Sequence, residues 1–182
     1  MNYRVKPNAF ETAHTWMVTE EALIKEEKEA HITKIPYNYI KSIRLYFNPL
    51  KYRTYNYECE IMTTNNQKIK IQSTSYKSLA TFDNQAETYN TFVKALITQV
   101  KDKNPSTQVF SGLNKSKFIL SNLFTLLVVI LVFLALSAFA GPLPAGLIMF
   151  GYYLFYIIKG FKKNWPKAID GVKIPSKVLP SI

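Results

Sequence analysis

From Phe118 to Ala140 the chain carries 23 residues without a single charge, and no other feature limits its architecture as much. At 1.5 Å of rise per residue this stretch makes about 35 Å of helix, enough to cross a bilayer core of roughly 30 Å with some tilt. A helix of that length buried in a soluble core would keep polar positions along one face, and Leu126 to Leu136 has none. Gly141-Pro142-Leu143-Pro144 then interrupts the pattern, because proline removes a backbone donor and clashes with the preceding turn. A second apolar run, Pro144 to Phe161, stays uncharged as far as Ile158. Lys159 can send its ammonium toward the headgroups while its stem remains in the apolar layer. The spacing predicts a two-helix transmembrane hairpin over residues 117–161.

The charge distribution agrees with this reading. The formal net charge is +11, yet residues 1–100 carry 13 Lys/Arg against 10 Asp/Glu, a net of +3, so the larger part of the excess lies in the remainder of the chain. Lys115 and Lys117 precede the first apolar run, Lys159, Lys162 and Lys163 follow the second, and the turn between them has no charge. Under the positive-inside rule these flanking lysines set the topology: two passes, with both termini cytoplasmic. Met1 to Pro7 is not followed by an apolar run, so no cleavable signal is expected to carry the N-terminal part across. A basic excess that flanks hydrocarbon, and is not concentrated on a folded domain, argues against nucleic acid as a partner.

Ahead of the apolar stretch the pattern is that of a folded domain. Tyr55, Tyr57, Cys59 and Ile61 alternate with Asn56, Glu58 and Glu60; after Thr63-Thr64-Asn65-Asn66, Ile69 and Ile71 alternate with Lys68 and Lys70. Period-two alternation on either side of an Asn-Asn turn predicts a β-hairpin. Shorter strands are predicted at His14–Val18, Leu23–Lys25, His31–Ile35 and Ile40–Phe47, with Pro36 confined to an edge because it lacks an amide donor. The period then changes. Tyr89, Phe92, Val93, Leu96, Ile97 and Val100 recur at helical spacing, which predicts an amphipathic helix within Asn84–Lys101. Short strands followed by one helix predict an α+β domain, a small antiparallel barrel or sandwich capped by its C-terminal helix. The organisation expected is a soluble domain over 1–103, a linker over 104–116, the transmembrane hairpin over 117–161 and a basic, Pro-containing cytoplasmic tail over 162–182.

Ile35-Pro36-Tyr37 leading into Ile40 and Ile43, within that order of strands and helix, resembles a bacterial pleckstrin-homology-like domain. The C-terminal run, with Asn164, Pro166, Asp170, Ile174, Pro175, Leu179 and Pro180, is similar to the ending of an uncharacterised family of bacterial membrane proteins built from a soluble domain, two spans and a short Pro-rich tail. The likeness extends more loosely to YcxB-like proteins. Trp165 and Gly171 depart from the pattern, standing where a basic residue and a proline are expected. The resemblance implies a pleckstrin-homology-like fold and residence in a bacterial inner membrane, with no established activity.

Catalytic constellations are scarce. There is no G-x-S-x-G, no H-E-x-x-H and no glycine-rich phosphate loop among only six glycines. The lone Cys59 falls on the apolar face of its strand, where core packing explains it better than nucleophilic chemistry. His14 and His31 lack the Cys or carboxylate pattern of a metal site, and the Glu-rich run from Glu20 to Glu29 fits solvated turns. Neither a cofactor nor a metal is expected, and the chain reads as a non-enzyme. The one patch of interest interleaves Arg44, Lys51 and Arg53 with Tyr52 and its aromatic neighbours, facing the membrane or a partner. The expectation is a membrane-anchored interaction module that binds a protein partner or anionic lipid headgroups at the cytoplasmic face. The alternative is a small accessory subunit of a larger membrane complex, held by its transmembrane hairpin.

Overall fold

The computed structural model describes residues 1–27, 31–48, 55–79, 81–140, 146–147, 151, 164–170 and 173–181. It divides into two compact units: Met1–Gly112 together with Lys167–Ile182, and Leu113–Pro166.

In the first unit, four antiparallel strands, β1 (Asn2–Val5), β2 (His14–Val18), β3 (Ala22–Glu26) and β4 (Ile32–Pro36), form one sheet in sequential order. Pro36 ends β4, an edge strand, as its missing amide requires. A 3-10 turn at Tyr37–Tyr39 leads into β5 (Ile40–Phe47), which pairs with β6 (Tyr57–Thr63), and β6 pairs in turn with β7 (Lys68–Gln72). The β6–β7 turn places Asn66 at φ 62°, in the left-handed region that asparagine tolerates better than most residues. A small hairpin follows, β8 (Thr74–Ser78) with β9 (Thr81–Asn84).

Helix α1 runs from Ala86 to Lys103. Asn84 begins it by accepting the Ala86 amide at 3.2 Å, and its stripe of Tyr89, Phe92, Val93, Leu96, Ile97 and Val100 is buried throughout. Tyr3 of β1 meets this stripe, with ring centroids 5.3 Å from Phe92 and 5.9 Å from Tyr89. The same core contains Leu23, Ile43, Leu45, Cys59, Ile61 and Ile71.

Beyond α1 the structure departs from the sequence reading. Residues Gln108–Ser111, expected within a linker, form β10 parallel to β5, and Lys167–Ile169, expected in a basic, Pro-containing tail, form β11 antiparallel to β10. The resulting five-stranded sheet has the order β11-β10-β5-β6-β7. Its parallel pair exists because α1 carries the chain back across the sheet, the kind of connection that parallel neighbours require. Gly112 follows β10 at φ 79°, a conformation that disfavours any side chain, and its amide bonds the Leu45 carbonyl at 2.8 Å. A second 3-10 turn, Ser176–Val178, sends Val178 and Leu179 into the core.

The second unit is built on α2, Lys115–Ala140, 26 residues. Asn114 supports its start by accepting the Ser116 amide on its side chain and the Phe118 amide on its carbonyl. Asn122 and Thr125 bond back to the carbonyls of Phe118 and Ser121, so these two polar side chains are satisfied inside the helix. Leu113 donates to the Asn164 carbonyl at 3.0 Å, and the Phe118 and Trp165 rings meet edge to face at 5.7 Å. The two ends of this unit therefore lie together.

The expected fold class is corrected on these grounds. The described residues form an α+β fold of three sheets, one of them mixed, with strands after the helix; an antiparallel pleckstrin-homology-like barrel capped by a terminal helix does not describe it. Nor do the described residues hold a transmembrane hairpin. One helix among them, over Lys115–Ala135, is long and apolar enough to cross a membrane. Most of the second run, 144–161, lies outside the described residues.

Candidate interaction surface

The face of the five-stranded sheet opposite the hydrophobic core carries a cluster of polar side chains, most of them buried. On β5 and β6, strand alternation turns Ile43, Leu45, Cys59 and Ile61 into the core and leaves Arg44, Tyr46, Glu58 and Glu60 on the other side. Register then aligns one row across all five strands: Ala168, Phe110, Arg44, Glu60 and Lys70. Opposite charges thus face each other directly across β5–β6 and β6–β7.

Arg44 is half-buried in this row. Its guanidinium lies 4.5 Å from the centroid of the Phe110 ring and donates to the Gly112 carbonyl at 3.3 Å. Burial lowers its pKa while Glu60 and Tyr46 oppose that shift, and the group stays charged, as arginine does in proteins. Its neighbours in sequence reach other surroundings: Phe47 is in the core and Tyr55 is exposed. Lys51, Tyr52 and Arg53, the rest of the expected patch, lie outside the described residues. Among the lysines expected to set topology, Lys115 and Lys117 occupy the first turn of α2, and Lys159, Lys162 and Lys163 lie outside the described residues.

Glu58 is the hub of this face, and sequence alternation alone did not reveal it. Only 4% of Glu58 is exposed. Its carboxylate accepts from Tyr46 Oη at 2.6 Å, Asn48 Nδ2 at 2.6 Å and Asn56 Nδ2 at 3.3 Å, with Lys70 Nζ at 3.6 Å. Burial first, then the bond to Glu58, pushes the Tyr46 phenol well above its ordinary range, so it remains a donor. Asn56 ties the hub to β8 by accepting from Thr74 Oγ1 at 3.0 Å, and the Asn48 amide bonds the Asn56 carbonyl at 2.9 Å. The network therefore pins the base of the β5–β6 connection, the segment that carries Lys51, Tyr52 and Arg53.

The remaining candidates sit elsewhere. His14 is buried against Trp16, ring centroids 5.6 Å apart and edge to face. Its pKa is lowered, chiefly by burial and then by Lys25, against smaller opposing effects from the Thr12 backbone, Glu27 and Glu11. Glu27 is held below the usual carboxylate range by its bond to Lys25, with weaker help from His14 and His31, so both histidines lie within its field. Among the described residues no three His, Cys, Asp or Glu side chains gather as a metal site would need. Cys59 is fully buried, and burial pushes its thiol up to about 12, which leaves it unreactive at neutral pH. A shallow groove of about 270 Å³ lies between the end of α1 and the β10–β11 pair, lined by Lys101, Thr107, Phe110, Ile169 and Asp170 among others. Lys101 already spends its ammonium on the Thr107 carbonyl at 2.7 Å.

Along this face opposite charges are matched across neighbouring strands, Arg44 with Glu60 and Glu60 with Lys70. Comparison with protein-family models, with curated proteins and with solved structures gives no match to this chain.

Proposed function

We propose that the chain is a non-enzymatic, membrane-anchored interaction module, whose folded unit binds anionic lipid headgroups or a protein partner at the cytoplasmic face of a bacterial inner membrane. The observation that carries this reading is α2. From Leu123 to Leu134 most of its side chains are exposed and apolar, with only Thr125, Val129 and Phe133 half-buried along one stripe, a surface that water would penalise heavily and a bilayer would accept. Lys115 and Lys117 at its start suit the cytoplasmic interface, and Trp165 beside Phe118 suits the same level, where amphipathic rings collect.

The first unit adds a topological argument. Ser111 and Lys167 are paired residues on adjacent strands, although the whole second unit lies between them in the chain. For a chain that enters a bilayer after β10, this pairing supports a return to the side it left, with both flanks of the second unit on one side. The lysine flanks make that side the cytoplasm.

Two measurements test the proposal. Ser106→Cys and Ser181→Cys, both at exposed positions, should be equally protected from a membrane-impermeant maleimide in intact cells. Labelling of one and not the other would overturn the topology. For binding, the full chain in neutral-lipid nanodiscs should capture anionic vesicles at low salt and release them at high salt, because each cation near an anionic surface contributes about 1 kcal/mol. Capture undiminished in the Arg44→Ala, Lys51→Ala, Arg53→Ala triple variant would remove this patch from the function.

A further inference from the structure

The C-terminal segment is where the fold differs most from its sequence pattern. A Pro-containing run that follows a long apolar stretch carries little local structural signal, yet its described residues from Lys167 onward belong to the first unit. β11 adds a strand to β10 through the pairs Val109–Ile169, Phe110–Ala168 and Ser111–Lys167. The Ser111 hydroxyl donates to the Lys167 carbonyl at 3.3 Å. Ile169 and Ile174 pack against the core from its margin, Val178 is entirely buried within it, and Leu179 is nearly so. The last turn is tied by Asn90 of α1, whose amide donates to the Pro180 carbonyl at 2.9 Å. Asn90 is itself buried within the helix stripe, an expensive place for an amide unless a partner is supplied. That partner comes from the other end of the chain.

Resting on the membrane-anchored reading proposed above, we propose that the segment from Lys167 to Ser181 is an intramolecular ligand, a latch that completes the first unit only after the apolar unit has been made and the chain has come back to the same side of the membrane. Chain order carries the argument. During synthesis residues 1–112 precede everything they dock with at 167–182, so until the tail arrives β10 is an unpaired edge and the seat of Val178 and Leu179 is open to water. An unpaired strand edge next to exposed apolar surface is an aggregation and proteolysis hazard. Closing it from beyond the apolar unit makes stability of the cytoplasmic body conditional on the tail reaching the right compartment. A chain whose tail is stranded across the bilayer cannot latch. The seat accepts a short 3-10 turn that ends in two adjacent aliphatic side chains followed by proline, Val178-Leu179-Pro180, the carbonyl of the proline being read by Asn90.

Cys59 supplies a native probe, being the single cysteine of the chain and fully buried in the core that Val178 completes. The full chain in detergent micelles is exposed to N-ethylmaleimide, and the rate of Cys59 modification is followed by mass. Three changes are compared with wild type: Val178→Asp, a chain ending at Pro166, and Asn90→Ala, which removes only the bond to Pro180. Modification is expected to accelerate by roughly tenfold or more in the first two, as local opening of a core unit does, and to a smaller extent in the third. A synthetic peptide of residues 167–182 added to the truncated chain should restore protection in a saturable manner, and the same peptide with Val178→Asp should not. Protection of Cys59 at the wild-type rate in the truncated chain, or failure of the wild-type peptide to slow modification there, overturns the latch.

Discussion

Replacing Phe92 with alanine removes the residue that joins the two ends of the first unit's core. Phe92 is fully buried on α1, its ring 5.3 Å from that of Tyr3 on β1, and Tyr3 in turn donates from its hydroxyl to the Gln72 carbonyl at 2.5 Å on β7. The helix, the first strand and the end of the second sheet therefore meet at one ring, which leaves little freedom for the site to collapse into the void. Phe→Ala at such positions costs about 3–5 kcal/mol, the upper end applying where neighbours cannot relax. Against a total stability of about 5–15 kcal/mol this is a large fraction. At about 4 °C per kcal/mol for a unit of this size, the midpoint of unfolding should fall by about 12 °C or more. The assay is thermal unfolding of the full chain in micelles, followed by Cys59 alkylation so that only the first unit is observed. Lys94→Ala, on the exposed face of the same helix, is the control and should stay within about 0.5 kcal/mol of wild type. If Phe92→Ala and Lys94→Ala melt within about 1 kcal/mol of each other, α1 does not pack on β1 through this ring and the account of the core fails.

Other outcomes follow from the same geometry. Leu96→Asp, which puts a charge into the fully buried stripe of α1, should leave no folded first unit at all, as measured by loss of cooperative melting. Glu58→Ala leaves Tyr46, Asn48 and Asn56 without their common acceptor and should destabilise by about 3–5 kcal/mol, with greater protease sensitivity between Asn48 and Asn56; an unchanged digestion pattern would show that the hub does not hold this connection. Because burial lowers the His14 pKa, the unfolded chain takes up that proton first; its contribution to stability is complete above the ordinary histidine pKa and is lost as pH falls through that range toward the folded value. Urea midpoints of wild type should therefore drop on mild acidification, and His14→Asn should flatten that segment of the profile. Glu27, whose pKa is also lowered, acts at more acid pH, so the two contributions separate along the titration.

The parts of this fold that were legible in sequence are those whose signal is local. Alternation over Ile40–Phe47 and around the Asn65-Asn66 turn located β5, β6 and β7, and the helical spacing of Tyr89 to Val100 located α1, because each element buries one face and its period records that. What was not legible depends on partners distant in the chain. β10 has four residues and β11 three, too few to display a period, and both are strands only because β5 offers an edge and α1 returns the chain to it. The same holds for Glu58. Its place in an alternating strand marks it as outward-facing, and outward usually means solvated; the carboxylate is buried because Tyr46, Asn48, Asn56 and Lys70 converge on it from three other segments.

That difference bears on how the candidate surface works. A cation read from sequence as free to meet headgroups, Arg44, is instead stacked on Phe110 and faces Glu60 across the sheet. Drawing it out toward an external anion would forfeit a stacking contact worth about 0.5–2 kcal/mol, comparable to what one cation gains at an anionic membrane surface. Arg44 therefore contributes little net attraction of its own, and its larger role lies in fixing β10, through Phe110 and the Gly112 carbonyl, at the point where the chain leaves the first unit. Arg44→Ala alone should then weaken vesicle capture by less than twofold while lowering the stability of the first unit by about 1–2 kcal/mol, the size of a lost cation–π contact with a charged hydrogen bond. The Lys51→Ala, Arg53→Ala double variant should do the reverse. If Arg44→Ala abolishes capture and leaves the melting midpoint unchanged, the guanidinium faces outward in solution and the stack on Phe110 is not what holds it.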